Sequence, residues 1–262
     1  MKKPIFSGMT VTFVLLGLVI LLFIAIPLIK MIFGVDPEIL WDTLLTPEVM
    51  DSIWLTLYSA LIATAIGCLM GIPLAYLLAR YDFRGKKLLE SIIDIPVVIP
   101  HSAAGIALLF VFGRNYFLGQ AFGSIGIDFI DSVPGIVIAM LFVSVPFLID
   151  SAKDGFGRVD SRLEKVSRSL GATQWQTFLH ISFPLAWRSI VTGGIMMWAR
   201  GLSEFGAVMI LAYHPMIAPI LVYERFQTHG LAYSQPVAVL LIIISALIFV
   251  VLRMMVYRKD KA

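Results

Sequence analysis

The stretch from Glu164 to Pro184 reads EKVSRSLGATQWQTFLHISFP and lies between long apolar runs. It is amphipathic and basic, whereas the flanking runs have the composition of membrane helices. Two signals of helix initiation overlap here: Ser161 is followed three residues later by Glu164, and Thr173 is followed three residues later by Gln176. Each spacing is that of a capping box, in which the two side chains satisfy each other's free backbone donors. The pattern predicts two short helices in this amphipathic stretch.

Gly171 lies between the two predicted helices and is the natural residue for a left-handed helix end. Apolar residues at helical spacing form one face on each predicted helix. The members of these faces are Leu163, Val166 and Leu170 on the first helix, and Trp175, Phe178 and Leu179 on the second. The sequence therefore predicts a helix-turn-helix outside the bilayer, with apolar faces and basic flanks.

The whole chain has the composition of an integral membrane protein. Of its 262 residues, 59% are hydrophobic and 14% are charged, and the mean hydropathy is +0.93, far from the values of an ordinary soluble domain. The net charge of +3 does not indicate a nucleic-acid binder, because the placement of the basic residues follows membrane topology instead. The single cysteine, Cys68, excludes an internal disulfide and is interpreted as a packing residue.

Six apolar segments approach the length that crosses a membrane, since a bilayer core of about 30 Å requires about 20 residues of helix. They cover about 9–32, 53–79, 92–112, 133–150, 188–212 and 235–257. The prediction is an all-α membrane protein with six transmembrane helices in a single domain, 1–262. The loop at about 151–187 carries the amphipathic stretch.

The basic residues predict the orientation of these helices. Alternating loops place sixteen of the 20 Lys and Arg residues on one side, and only Lys30, Arg114 and Arg225 on the other. By the positive-inside rule the crowded side is cytoplasmic, so both termini and the amphipathic stretch are expected to face the cytosol. The chain is thus predicted to be a multi-pass protein of the cell membrane. The acidic loop at 36–51 is expected outside, either as a solvated loop or as a contact for an external partner.

Three polar residues, Arg200, Ser203 and Glu204, fall inside the fifth predicted span. Arg200 and Glu204 are four residues apart on one predicted helix face, about 18 and 24 Å into the span at 1.5 Å per residue. Charges at such depth face a bundle interior or an aqueous path. Two interpretations stay open: the pair locks helices together, or it lines a polar route in which Arg200 attracts an anion and Ser203 offers a hydroxyl. His101, after two prolines in the third span, is interpreted as structural.

Motifs of several enzyme classes are absent from the sequence. It has no G-x-x-x-x-G-K-[ST] phosphate loop, so the chain is not expected to hydrolyse ATP by that route. The four histidines are scattered and one cysteine cannot form a thiolate cage, so no metal site is predicted. No cofactor is predicted within this chain, and no G-x-S-x-G nucleophile elbow occurs.

The amphipathic stretch resembles the EAA motif of permease subunits of binding-protein-dependent ABC importers. In that motif a glutamate and two alanines precede a glycine, and I-x-L-P follows nine residues after the glycine. Glu164 and Gly171 are interpreted as the glutamate and the glycine, and the run from Ile181 to Pro184 begins after nine further residues. The departures are Lys165 and Val166 for the two alanines and Phe183 for the leucine.

Three further segments are similar to the molybdate/tungstate branch of these permeases, particularly its archaeal members. They are Asp94–Leu108 (DIPVVIPHSAAGIAL), Leu141–Pro146 (LFVSVP) and Trp198–Pro219 (WARGLSEFGAVMILAYHPMIAP). The resemblance implies the type I, MetI-like permease fold and a homodimeric channel. It also implies two cytoplasmic ATP-binding cassette subunits, which bind ATP and magnesium, and an external oxyanion-binding protein.

By the same resemblance, the amphipathic stretch docks into a cleft on an ATPase subunit. The residues expected to couple to the ATPase are Glu164, Gly171, Leu163, Val166, Trp175, Phe178 and Pro184, and those expected in the translocation pathway are Arg200, Ser203 and Glu204. The alternatives are a sulfate or thiosulfate permease of the same type, a secondary transporter and a membrane-embedded enzyme. A secondary transporter would not require the amphipathic pair of helices, and an enzyme would require a catalytic set that the sequence does not show.

Overall fold

The computed structural model describes residues 8–257, with side chains up to residue 254, and the regular secondary structure in this range is helical. The helices are α1 (Gly8–Phe33), α2 (Pro37–Leu44), α3 (Pro47–Arg80), α4 (Lys86–Val98), α5 (His101–Phe112), α6 (Phe117–Gly123), α7 (Val133–Arg158), α8 (Ser161–Ser169), α9 (Gln174–Thr177), α10 (Phe183–Leu202), α11 (Gly206–Leu211), α12 (Ala218–His229) and α13 (Leu231–Tyr257). A π-helical turn, Phe178–Ser182, joins α9 to α10.

Four helices of the described range are long and apolar enough to cross a membrane, namely α1, α3, α7 and α13. The count rises to five if α4 and α5 together form one bent span. These helices contain the first, second, fourth and sixth predicted segments. The third and fifth predicted segments are each divided into two helices, and in these two places the prediction of a single continuous helix is wrong.

The third predicted segment breaks at Ile99 and Pro100, between α4 and α5, whose axes differ by 114°. Proline has no backbone N–H and disfavours the helical conformation of the residue before it. Accordingly, Ile99 is extended, with ψ of 149°. The break makes His101 the first residue of α5.

The fifth predicted segment breaks between Leu202, where α10 ends, and Gly206, where α11 begins. The sequence had predicted that Arg200 and Glu204 share one continuous helix. This prediction is wrong, because α10 ends between them. Glu204 lies in the break, and its side chain accepts a hydrogen bond from the backbone N–H of Ala207 at 2.8 Å. A side chain that bonds nearby backbone groups in this way competes with continuation of the helix.

The centre of the bundle is α7, which packs between α3 and α10. Small residues allow α7 and α10 to approach closely, as is common between membrane helices. A β-carbon at Gly193 would lie 2.7 Å from the Cβ of Ser151, whose hydroxyl donates to the carbonyl of Ser189 at 2.7 Å. The contact between α7 and α10 is thus a close one, made by small residues on both helices.

Two buried apolar clusters fill the bundle. The larger one includes Ile53, Ile136, Met140, Leu211 and Leu221. The smaller one lies beneath the amphipathic stretch, where α3 and α7 end, and consists of Ala75, Leu78, Ile149, Ala152, Phe156, Val159, Ala186 and Ile190. The amphipathic stretch therefore rests on its own packed core.

The first helix has a different environment. None of the residues of α1 is buried within the described chain, and its hydrogen bond to the rest of the bundle runs from Gln235 Nε2 to the carbonyl of Met31 at 3.0 Å. Between α1 and α3, the predicted acidic loop contains the short helix α2, capped by Asp36, which accepts from the N–H of Glu38 at 2.9 Å. The apolar surface of α1 is left for lipid or for another chain.

Candidate functional site

The start of α8 differs from the sequence prediction. Its N-cap is Asp160, which accepts from the N–H of Arg162 at 2.8 Å, so the predicted capping box of Ser161 and Glu164 is wrong. Glu164 instead turns toward the bundle. Its Oε1 accepts from Arg80 Nε at 2.8 Å and from Ser182 Oγ at 2.5 Å.

The position of Glu164 in the motif also changes. Three residues separate the second alanine of the EAA motif from its glycine. Counting back from Gly171 places the motif glutamate at Lys165, so Glu164 lies one residue before it. The side chain of Glu164 is only 13% exposed, and its hydrogen bonds to Arg80 and Ser182 are made within this chain.

The turn between α8 and α9 has the predicted form. Gly171 adopts φ of +93°, and the N–H groups of Gly171 and Ala172 donate to the carbonyls of Arg168 and Ser167, the two bonds of a Schellman helix end. The capping box of the second helix is confirmed: Thr173 Oγ1 accepts from the N–H of residue 176, whose side chain accepts from the N–H of Thr173. Local sequence therefore determines this turn.

The apolar faces of the two helices are largely open. Leu170 is 84% exposed and Trp175 is 69% exposed, and the other exposed members are Leu163, Val166 and Leu179. Phe178 is the exception: it is half-buried, with its ring 4.9 Å from that of Tyr76 and 6.0 Å from that of Phe156. Trp175 stacks on Phe178 at 5.6 Å, so the buried ring supports the exposed one. Pro184, at the start of α10, is exposed.

The second candidate site lies where the two broken helices meet. Arg200 Nη2 donates to Glu204 Oε2 at 3.0 Å, and Arg200 Nη1 donates to Ser203 Oγ at 3.2 Å. A guanidinium only donates hydrogen bonds, so the Nε2 of His101, 2.7 Å from Arg200 Nη2, accepts. We call these four residues, His101, Arg200, Ser203 and Glu204, the ionisable cluster.

Close packing brings the elements of the ionisable cluster together. A β-carbon at Gly206 would lie 2.9 Å from the Cβ of His101, and one at Gly105 would lie 2.8 Å from the Cβ of Ile210. The helices α5 and α11 can therefore touch only because these positions carry no side chain. The sequence interpretation did not place His101 in the cluster. The signal that could have done so is the pair of prolines before it, since they predict a break in the helix at His101.

Burial divides the ionisable cluster into an inner and an outer part. The side chain of Glu204 is 1% exposed, whereas those of Arg200 and His101 are 20% and 42% exposed, and Ser203 is exposed. The buried carboxylate of Glu204 fixes the guanidinium of Arg200 from the interior side, through a charge-assisted hydrogen bond. The positive group and two further polar groups are left facing outward, an arrangement that can contact an anion.

The sequence pattern of one family covers most of the chain. The family described as "Binding-protein-dependent transport system inner membrane component" matches residues 71–261. The chain belongs to this family. It is therefore a multi-pass membrane permease, consistent with its apolar helices.

Two curated relatives of this permease carry substrate names. The molybdate/tungstate transport system permease protein WtpB of Thermococcus kodakarensis is 45% identical over 95% of the chain and 96% of its own length. The probable sulfate transport system permease protein cysT of Chlorokybus atmophyticus is 34% identical over 72% of the chain and 68% of its own length. The permease is thus similar to a molybdate/tungstate permease over a longer range and at higher identity.

A solved structure has the same fold as the permease. It is described as a bacterial ABC transporter involved in the import of the acidic polysaccharide alginate, and the matched chain superimposes with a TM-score of 0.74 over 96% of both chains. Since the sequences are only 17% identical, this likeness concerns the fold alone. The all-α architecture of an ABC importer permease is therefore confirmed.

Proposed function

We propose that this permease is the membrane-spanning subunit of an ABC importer that moves molybdate or tungstate into the cell. The observation that carries the proposal is the 45% identity to the molybdate/tungstate permease over 95% of the chain. ATP and magnesium are bound by a separate ATPase subunit, since the sequence contains no phosphate-binding loop. An external binding protein delivers the anion, in keeping with the family description.

The amphipathic stretch is the contact for the ATPase in this proposal. An exposed apolar helix face with anchors at helical spacing fits a helix-in-groove contact, and Leu163, Val166, Leu170 and Trp175 are exposed in this way. Phe178 contributes by supporting Trp175, and Pro184 is the second residue of α10, the helix that continues from the stretch into the bundle. By the distribution of basic residues, this face and both termini lie in the cytosol. The helices α10 and α11 together form the fifth of six spans, and this span is broken.

Gly171→Leu is expected to impair this contact. Space does not limit the change, because a β-carbon at position 171 would meet no described atom within 4 Å. The limit is φ of +93°, which costs an ordinary residue about 1–2 kcal/mol, so the turn opens and α8 shifts against α9. Because 1–2 kcal/mol corresponds to a factor of about 5–30, we expect that much less ATPase to co-purify, or that much less uptake per ATP hydrolysed.

The matched control for this substitution is Gly157→Leu. Gly157 is exposed in the last turn of α7, also with open space around it, but its backbone is helical. This control should retain the ATPase and transport normally. Normal ATPase retention together with normal transport by Gly171→Leu would refute the assignment.

The ionisable cluster is the proposed part of the translocation pathway. Polar groups that face lipid at this depth are costly, yet Ser203 is exposed and His101 and Arg200 are partly exposed in the single chain. A second copy of the permease would cover these groups and enclose a polar route between the two copies. The exposed α1 is available for the same homodimer. Arg200 then offers positive charge to the anion, and Glu204 fixes the orientation of Arg200.

Stimulation of ATP hydrolysis tests the proposed substrate. The permease would be reconstituted in lipid with its ATPase and its cognate binding protein, and hydrolysis would be measured with molybdate, tungstate or sulfate. We expect molybdate and tungstate to stimulate hydrolysis at concentrations about tenfold lower than sulfate, a difference of about 1.4 kcal/mol in binding. Stimulation by sulfate at the lowest concentration would support a sulfate permease, the alternative that the cysT relative favours.

A further inference from the structure

Three separate elements meet at one carboxylate oxygen near the end of the bundle. The oxygen is Oε1 of Glu164 in α8. It accepts from Nε of Arg80, the last residue of α3, at 2.8 Å, and from the hydroxyl of Ser182, in the π-helical turn before α10, at 2.5 Å. Glu164 thereby joins the amphipathic stretch directly to α3 and to the start of α10.

The ion pair between Arg80 and Glu164 is shielded from water. The two side chains are 11% and 13% exposed, and screening weakens such a pair much less than it weakens a surface pair. Hydrogen bonds to charged groups are also the stronger class in proteins. A displacement of α8 therefore pulls on Arg80 before the pair separates.

Arg80 also has a hydrogen-bond donor that is not used within the described part of the chain. Its Nη2 is buried and has no hydrogen-bond partner among the described residues. A guanidinium presents its donors in a fixed fork that can bind a carboxylate through Nε and Nη2 together. The contact can therefore change from one hydrogen bond to two while α8 moves, and a lysine ammonium could not provide this geometry.

The middle of α3, about 30 Å from Arg80, packs next to the ionisable cluster. Ala60 lies 20 residues before Arg80 in the same helix, about 30 Å away at 1.5 Å per residue. Gly201, next to Arg200, packs against Ala60, since a β-carbon at position 201 would lie 3.4 Å from the Cβ of Ala60, in van der Waals contact. Nearby, the indole N–H of Trp198 donates to the carbonyl of Leu57 at 3.4 Å. A shift of α3 thus changes the contacts of Trp198 and Gly201, and these two residues set the position of Arg200.

On the basis of the function above, we propose that Arg80 is a positioning residue that transmits movement of the amphipathic stretch to α3, and through α3 to the ionisable cluster. Glu164 is the group through which the amphipathic stretch moves Arg80. The exposed apolar faces are then sufficient for the contact between the permease and its ATPase. The buried ion pair between Arg80 and Glu164 passes the movement of that contact to the span α3.

The test is the number of anions imported per ATP hydrolysed by the reconstituted complex with its binding protein. We expect Arg80→Ala and Glu164→Ala to lower this ratio about fivefold or more, a coupling effect of ordinary size, while the ATPase stays bound and hydrolysis continues. The charge-exchanged double variant, Arg80→Glu with Glu164→Arg, should restore the ratio to within about twofold of the wild type. Arg80→Lys, which keeps the charge but loses the fork, should give an intermediate ratio and decides the matter if Arg80→Ala does not fold.

The matched control is Arg84→Ala, since Arg84 is exposed four residues after Arg80 and makes no ion pair within the described side chains. This control should keep the wild-type ratio. A wild-type ratio in Arg80→Ala, or a charge exchange that restores folding but not the ratio, would overturn the proposal. Failure of the proposed function looks different, because the wild-type complex itself would then show no ATP-dependent anion uptake.

Discussion

Arg200→Ala is expected to lower anion uptake about tenfold or more, because a charge-assisted hydrogen bond to the substrate is worth about 1.5–3 kcal/mol. The complex should remain assembled. Glu204 keeps its hydrogen bond from the N–H of Ala207 at 2.8 Å, and the contact of α5 with α11 at Gly105 and Gly206 does not involve Arg200. Uptake by reconstituted complex and the yield of assembled complex are the two measurements.

The control for this substitution is Arg225→Ala. Arg225 forms an ion pair with Glu48 at 2.8 Å and lies on the opposite side from the amphipathic stretch by the predicted topology. Its removal should leave uptake near the wild-type value. If Arg200→Ala instead abolished assembly, the pair would be a structural lock between helices; if uptake were unchanged, Arg200 would not lie in the pathway.

Leu170→Asp is expected to weaken docking of the ATPase by about 30-fold or more. Leu170 is 84% exposed in this chain, so the substitution should leave the fold unaffected. In a docked complex the aspartate would be placed in an apolar cleft, and the loss of a central anchor costs about 2 kcal/mol or more, a weakening of about 30-fold. The measurement is the dissociation constant of purified ATPase for the permease in nanodiscs.

An exposed apolar residue elsewhere in the chain provides the control. Ile125 is 69% exposed and lies in the connection between α6 and α7, on the predicted external side. Ile125→Asp should bind the ATPase with the wild-type constant. Normal ATPase binding by Leu170→Asp would show that the apolar face of α8 is not the docking surface.

The sequence predicted the features of the amphipathic stretch that depend on neighbouring residues. The left-handed Gly171 and the capping box of Thr173 were predicted correctly, because their hydrogen bonds join groups only a few residues apart. The N-cap of α8 was not predicted correctly, since Asp160 and Ser161 are both residues that cap helices well. Glu164 is bonded elsewhere and cannot complete a capping box with Ser161, so Asp160 is the N-cap. The partners of Glu164 lie 84 and 18 residues away along the chain, so no local pattern could reveal them.

The same distinction explains the ionisable cluster. Arg200 and Glu204 were recognised as a pair because they are close in sequence, although the assumption of one helix was wrong. His101 lies 99 residues from Arg200, and only the packing of the two breaks joins them. The break at Pro100 has a clear cause in the sequence, whereas the break at Glu204 depends on its hydrogen bond to Ala207, which becomes visible only in the folded chain.

Uptake of labelled molybdate into proteoliposomes tests the central claim most directly. The vesicles would contain the permease with or without its ATPase, with binding protein on the same side as the anion and ATP on the other. We expect uptake only when the ATPase is present and ATP is hydrolysed, and none with a non-hydrolysable analogue. Uptake by the permease alone, driven by an ion gradient, would contradict the account and identify a secondary transporter.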